Sequence, residues 1–191
     1  DTYPYTEMIP GSEWVKAIMD EYPNFNIVGE CWTRPTPAVA YWQTGVKNHN
    51  GFDSHMPSVM DFPLEEAIRQ ALESDNQGWG GGLTRVYDVL TMDYMYADVN
   101  DILIMLGNHD MDRIADVVKD QDPRRVKLAC ALLATMRGIP QVFYGDEYAM
   151  KSADRNLGHS TLRMPLPLGE QVTAEMQDMF DYQSRLFQWR K

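Results

Sequence analysis

The sequence predicts an α/β fold organised around a parallel sheet, and three observations carry that prediction. Short apolar runs of strand length alternate with longer segments whose apolar residues recur at helical spacing. One run, Ile102–Leu106, is apolar without a break, as expected of a strand buried on both faces of a parallel sheet. The segments entering the runs are short, Pro23-Asn24 before one and Gly138-Ile139 before another, while those leaving three of the four are long. Ligands of parallel α/β proteins lie at the carboxyl ends of the strands, so chemistry is expected just after each run.

Taken in order, residues 12–22 read as a helix with Ser12 as N-cap. Trp14, Ala17, Ile18 and Met19 supply its apolar positions, and Pro23 stops it. Phe25–Gly29 is the first strand by length. Cys31–Pro57 shows no period and reads as a functional loop, far longer than the usual ~4–6 residues. Ser58–Phe62 is the second strand, and Pro63 opens a helix with Leu64, Ile68, Ala71 and Leu72 on one face. After the break at Gly78–Gly82, a helix is expected over Thr84–Tyr94 through the apolar positions Val86, Val89, Leu90 and Tyr94, which should face inward. Ile102–Leu106 is the third strand. Asp122-Pro123 is an N-cap followed by proline at the first helical position, and Gly138 closes that helix. Gln141–Tyr144 is the fourth strand. Thr173–Lys191 is the last helix, with Met176, Met179, Phe180, Leu186 and Phe187 facing inward.

Composition excludes more than it identifies. The 191 residues carry 28 acidic and 17 basic side chains, a net charge of −11 that argues against nucleic-acid binding. No apolar run approaches the ~18 residues of a membrane span, and the first residues lack the basic and apolar regions of a signal peptide. Cys31 and Cys130 make no disulfide framework and leave the redox compartment open. Asp98-Val99-Asn100-Asp101 lacks the glycine and terminal glutamate of a calcium loop and reads as a solvated turn. Asp1-Thr2-Tyr3-Pro4-Tyr5 has no polar, frayed character and reads as though taken from within a longer chain.

The strand ends carry polar clusters. Gly29-Glu30-Cys31-Trp32 follows the first strand, Gly107-Asn108-His109-Asp110-Met111-Asp112-Arg113 the third, and Tyr144-Gly145-Asp146-Glu147 the fourth. Singly, Glu30 and Asp110 fit turn caps, and His109 fits a core histidine with one satisfied hydrogen bond. Together, two acids, a histidine and a tryptophan match the inventory of glycoside cleavage. One carboxylic acid protonates the leaving oxygen and another carboxylate acts at the anomeric carbon. The chain has 5 Trp, 10 Tyr and 6 Phe, and Trp32, Tyr41, Trp42 and Phe52 in the long loop are candidates to stack on sugar rings.

Four ordered segments then resemble one family. Asn26-Ile27-Val28-Gly29-Glu30-Cys31-Trp32 is similar to the segment of α-amylase family glycoside hydrolases that carries the general acid. Leu106-Gly107-Asn108-His109-Asp110 resembles that family's Asn-His-Asp segment, and Gly138–Glu147 its strand-eight segment. Ser58-Val59-Met60-Asp61-Phe62-Pro63-Leu64 resembles strand six of the neopullulanase and cyclomaltodextrinase branch, in particular its Bacteroides-type members. The resemblance implies that residues 1–191 are one partial catalytic domain without a separate second domain. Its fold is then the C-terminal half of a (β/α)8 TIM barrel, strands five to eight with helices four to eight.

The same resemblance assigns roles. Asp1 falls at the nucleophile position, Glu30 at the general acid/base and Asp110 at the carboxylate that stabilises the transition state. His109 and Asn108 bind the sugar, Trp32 is the platform on the leaving-group side, and Arg113 orients the loop or the substrate. The family mechanism is retaining, which places nucleophile and acid roughly 5–5.5 Å apart. No cofactor or metal is implied within this chain; the resemblance leaves room for calcium only in a part outside it. The implied partner is an α-glucan, cleaved at α-1,4 bonds in maltodextrin, starch, cyclodextrin or pullulan. The implied location is extracytoplasmic, on the periplasmic side. For the isolated half barrel, with its open sheet edges, self-association and little activity are expected. A non-catalytic carbohydrate-binding or scaffold chain of the same fold is the alternative; retention of Glu30 and Asp110 argues against it.

Overall fold

Pro23 ends the first helix as the sequence predicts, but the helix begins earlier. In the computed structural model, which describes residues 3–5, 7–75, 78–154 and 158–191, α1 spans Met8–Glu21. Pro10 is tolerated because it lies in the first turn, where its missing N–H would have no partner within the helix. Ser12 is therefore internal and not the N-cap; its hydroxyl donates to the Ile9 carbonyl at 2.9 Å. The buried positions are Ser12 and Val15, while Trp14 is exposed, so the face differs from the one expected.

The described residues form two compact units. The first contains the chain through Glu66, with Val86–Ile104 and Arg137–Ile139. Among the described residues, four strands form two two-stranded sheets linked by one bridge. β1 (Val28–Gly29) pairs in parallel with β2 (Ser58–Val59), and Met60 makes a parallel bridge to Leu103 of β3 (Leu103–Met105). Ile139, the first residue of β4 (Ile139–Gln141), donates its N–H to the Ile102 carbonyl at 2.7 Å. All four strands are shorter than expected, and β4 lies ahead of the predicted Gln141–Tyr144. The pairing of Ile139 with Ile102 sets where β4 begins, a long-range condition that local apolarity does not register.

Gly138 makes that pairing possible. Its φ is +91°, and a Cβ there would stand 2.5 Å from the Ile102 carbonyl oxygen. Gly138→Ala is therefore expected to lower the unfolding free energy by about 1–3 kcal/mol or more, read from denaturant unfolding. An unchanged midpoint would show that the strand entry is not constrained. Beside it, the Arg137 guanidinium donates to Asp61 Oδ2 at 2.6 Å and to both Asp93 oxygens at 3.0–3.1 Å. Asp61 in turn accepts from the Leu64 N–H at 3.0 Å, capping α3 (Phe62–Glu73). Leu64, Ile68, Ala71 and Leu72 are buried, as the pattern requires.

The long Cys31–Pro57 segment is not featureless. It contains α2 (Thr36–Ala40), and the buried Gln43 ties it to the chain before β3. Gln43 Nε2 donates to the Asp98 carbonyl at 2.7 Å, and its Oε1 accepts from the Ala97 N–H at 2.9 Å. Tyr41 stacks on Phe52 with ring centroids 5.5 Å apart, and Trp42 meets Tyr3 and Phe52 edge-on. Three of the four loop aromatics thus pack mainly on other rings. Asp98 accepts from the Asn100 N–H at 2.8 Å and caps a 3-10 turn over Val99–Asp101.

The second unit contains Ala67–Arg85, Met105–Met136 and Pro140–Lys191. α4 (Thr84–Leu90), whose residues from Val86 on belong to the first unit, stops short of the predicted end, and Tyr94, also of the first unit, is exposed rather than inward-facing. Asp122 caps α6 (Pro123–Thr135) as predicted, accepting from the Arg124 N–H at 2.8 Å. Thr173 caps α7 (Ala174–Arg190), which packs on α6. Its buried residues are Met179 and Gln183; Phe180 is exposed and stacks on Tyr148. Gln183 is inside because its amide donates to the Asp146 carbonyl at 2.7 Å. Arg190 closes the packing by donating to the Ala134 and Met136 carbonyls at the end of α6, each at 2.8 Å.

Candidate active site

In the first unit, Glu30 directly follows β1 and is only 5% exposed. Its carbonyl accepts from the Tyr3 N–H at 3.0 Å. Two residues on, Trp32 lies flat on Phe62, with ring centroids 5.1 Å apart and planes inclined by 13°. Trp32 nevertheless remains 45% exposed, so it is the loop aromatic that keeps a broad open surface. Cys31 between them is a free, fully buried thiol; burial pushes its pKa up to about 12, which removes it as a nucleophile near neutral pH. Cys130, in the second unit, is likewise free and pushed up by burial to about 12. Asp1 lies outside the described residues.

In the second unit the Asn-His-Asp segment forms a tight turn. Asn108, 3% exposed, accepts the Asp110 N–H on Oδ1 at 2.8 Å and so fixes the turn from its own first residue. Its Nδ2 is buried and has no hydrogen-bond partner among the described residues. His109 is half exposed, with Nε2 at 3.2 Å from Asp110 Oδ2. The other carboxylate oxygen, Oδ1, lies 3.0 Å from His159 Nδ1 and accepts from Arg163 Nη2 at 2.5 Å. Partial burial raises the Asp110 carboxyl, but hydrogen bonds from His159 and Arg163 and the charges of His109 and Arg163 outweigh it. The group is held below the usual carboxylate range.

Arg113 ends the turn pointing inward, and its side chain is fully buried. Nε and Nη2 both donate to the Leu162 carbonyl, at 3.2 and 2.8 Å, and Nη1 donates to the Tyr144 carbonyl at 2.8 Å. Nη1 also pairs with Asp146 Oδ1 at 3.1 Å, and the guanidinium carbon stands 4.5 Å from the Phe143 ring centre. Burial pushes the Asp146 carboxyl up to about 7 against the pull of Arg113. The Arg113 donors thus face protein acceptors, and its side chain exposes no surface.

The structure thus brings Asn108, His109, Asp110 and Arg113 together in one unit, while Glu30 and Trp32 follow β1 in the other. The sequence reading missed His159 and Arg163. Both lie in the long Gly145–Val172 segment, whose length was the available signal. A cavity of about 670 Å³ in the second unit, lined by Met150, Met164, Pro165, Met176 and Met179 among others, contains none of the predicted site residues. Among the described residues no cluster of three or more His, Cys, Asp or Glu side chains could hold a metal ion. None of the described helices is long and apolar enough to cross a membrane.

Against this geometry, comparison with known proteins is consistent. The profile of the family described as "Alpha amylase, catalytic domain" matches residues 6–190. A cyclomaltodextrin glucanotransferase of Geobacillus stearothermophilus is 31% identical over 142 residues, covering 72% of this chain and 18% of the relative. An alpha-amylase of Streptomyces lividans is 27% identical over 184 residues, covering 87% of this chain and again 18% of the relative. The chain therefore spans less than a fifth of the length of these relatives. Among solved structures, an alpha-amylase from Geobacillus thermoleovorans complexed with acarbose superposes with a TM-score of 0.76. It is 23% identical, over 100% of this chain and 39% of that one. The cyclomaltodextrin glucanotransferase CldA gives a TM-score of 0.67 at 26% identity, over 95% of this chain and 35% of its own.

Proposed function

Because this chain belongs to the alpha-amylase catalytic-domain family, whose fold is the (β/α)8 barrel, we propose that the protein carrying it is a retaining glycoside hydrolase of α-1,4-glucans. Maltodextrin, starch, cyclodextrin and pullulan are the substrate types. The relatives are named as amylases and glucanotransferases, and similar structures were solved with acarbose, maltose and maltotriose. The observation that supports the reading most is that a buried glutamate, Glu30, directly follows β1 and a tryptophan with an open face, Trp32, comes two residues later. An aromatic face receives a sugar ring, and a nearby carboxylic acid can protonate the leaving oxygen.

In this reading the Asp1 carboxylate attacks the anomeric carbon as the Glu30 proton passes to the departing glycosidic oxygen, and the C–O bond breaks. A glycosyl ester on Asp1 results. Glu30, now a carboxylate, takes a proton from water, whose oxygen displaces Asp1 and leaves the sugar with its original α configuration. The resemblance gives Asp110, whose carboxyl is held below the usual carboxylate range, the role of stabilising the positive charge that develops on the ring, and gives His109 and Asn108 that of binding hydroxyls. The Ser58–Leu64 segment favours the neopullulanase and cyclomaltodextrinase branch, and with it a periplasmic location. The test is to incubate the full-length protein with maltoheptaose and follow new reducing ends by proton NMR. The α anomer is expected first; initial β anomer, or no cleavage, would overturn the proposal.

A further inference from the structure

The orientation of Asp110 does not rest on its own turn alone. Oδ1 is engaged from across the unit by His159 Nδ1 at 3.0 Å and Arg163 Nη2 at 2.5 Å. Arg163 also donates through Nε to the His109 carbonyl at 3.1 Å, so one guanidinium spans the backbone of His109 and the side chain of Asp110. His159 opens, and Arg163 directly follows, a 3-10 turn over His159–Leu162 in which Thr161 and Leu162 are buried. That turn is in turn anchored from within, because the buried Arg113 gives two hydrogen bonds to the Leu162 carbonyl. Residues 108–113 and 158–163 are therefore tied twice, at the carboxylate and at the brace beneath it.

We propose that His159 and Arg163 are positioning residues for Asp110, fixing its carboxylate through Oδ1 so that Oδ2, beside the His109 ring, is presented to the sugar. This inference rests on the role proposed above for Asp110. A carboxylate free to rotate offers its oxygens over a range of angles, and geometric misplacement by even 1 Å costs rate heavily. Two hydrogen bonds to one oxygen remove that freedom, and together with the Arg163 charge they favour the carboxylate form. Neither residue needs to touch the sugar.

The test uses the full-length protein with Arg163→Ala, His159→Ala and Arg163→Lys. The expected result is a fall in kcat of up to about 10²-fold for Arg163→Ala, a smaller fall for His159→Ala, and KM and melting temperature little changed. Arg163→Lys should recover part of the loss, since a lysine keeps the charge but not the second bond to the His109 carbonyl. In parallel, a carboxyl ¹³C titration should show the Asp110 pKa rising in both alanine variants. If the wild type cleaves α-glucans and the variants do so equally well or faster, the positioning role is wrong and the two side chains merely compete with substrate. If the wild type cleaves nothing, the proposed function fails. The titration then still decides the contact, because an unmoved Asp110 pKa would overturn it.

Discussion

Glu30→Gln in the full-length protein is expected to lower kcat on maltoheptaose by about 10²–10⁴-fold while leaving KM nearly unchanged. Glutamine matches the glutamate in shape and still donates a hydrogen bond, so packing around the buried side chain and the stacking of Trp32 on Phe62 should survive. What it cannot do is transfer a proton to the leaving oxygen or later accept one from water. The loss should therefore depend on the leaving group. With an α-maltosyl fluoride, the departing fluoride needs no proton, and the fluoride-releasing step of the variant should run close to the wild-type rate. The second step, which needs Glu30 as a base, should stay slow, so fluoride appears as a burst followed by a slow phase. A variant that cleaves maltoheptaose at the wild-type rate would remove Glu30 from the acid role. A variant equally slow on both substrates would point to a disturbed site rather than a missing proton.

The parts of this chain that were legible in sequence are those decided locally. Asp122-Pro123 announces a helix start because the capping bond runs to Arg124, two residues away. Ile102–Leu106 announces a buried strand because every position is apolar, whichever partner it finds. The errors fall where a distant partner decides. β4 starts at Ile139 because its N–H meets the Ile102 carbonyl, and Gln183 is buried because Asp146 offers it a carbonyl. Tyr41, Trp42 and Phe52 looked like sugar platforms because a loop was expected to be open; instead they pack on one another. Among the candidate site residues, the strand-end motifs singled out Glu30, Trp32 and Asp110 by position, but the side chains that hydrogen-bond Asp110 lie 49 and 53 residues downstream. Loop length marked that segment as functional without singling out His159 or Arg163.

Arg113→Met should be the most destabilising single change in the second unit, lowering the unfolding free energy by about 3–5 kcal/mol. The guanidinium is fully buried, and removing it strands the Asp146 carboxylate together with the Tyr144 and Leu162 carbonyls. The pH dependence gives the effect a signature. In the wild type, burial already raises Asp146 to about 7, above the ~3.9 of an unfolded aspartate. The folded state thus holds a proton more tightly than the unfolded one, and this group's contribution to stability declines as pH rises from about 4 through 7. Without Arg113 the carboxyl rises further, so at pH 5 it enters the fold neutral and at pH 8 it must either ionise or stay protonated at a cost. The destabilisation should consequently be smaller at pH 5 than at pH 8, measured by denaturant unfolding at both. Arg113→Lys should fall between, because one ammonium cannot reach the Leu162 carbonyl, the Tyr144 carbonyl and Asp146 with the fixed fork of a guanidinium. Adding Asp146→Leu to Arg113→Met should recover part of the loss by removing the unpaired charge. An Arg113→Met protein that unfolds at the wild-type midpoint at pH 8 would show that the brace carries no energy, and with it would go the anchoring of the turn that clasps Asp110.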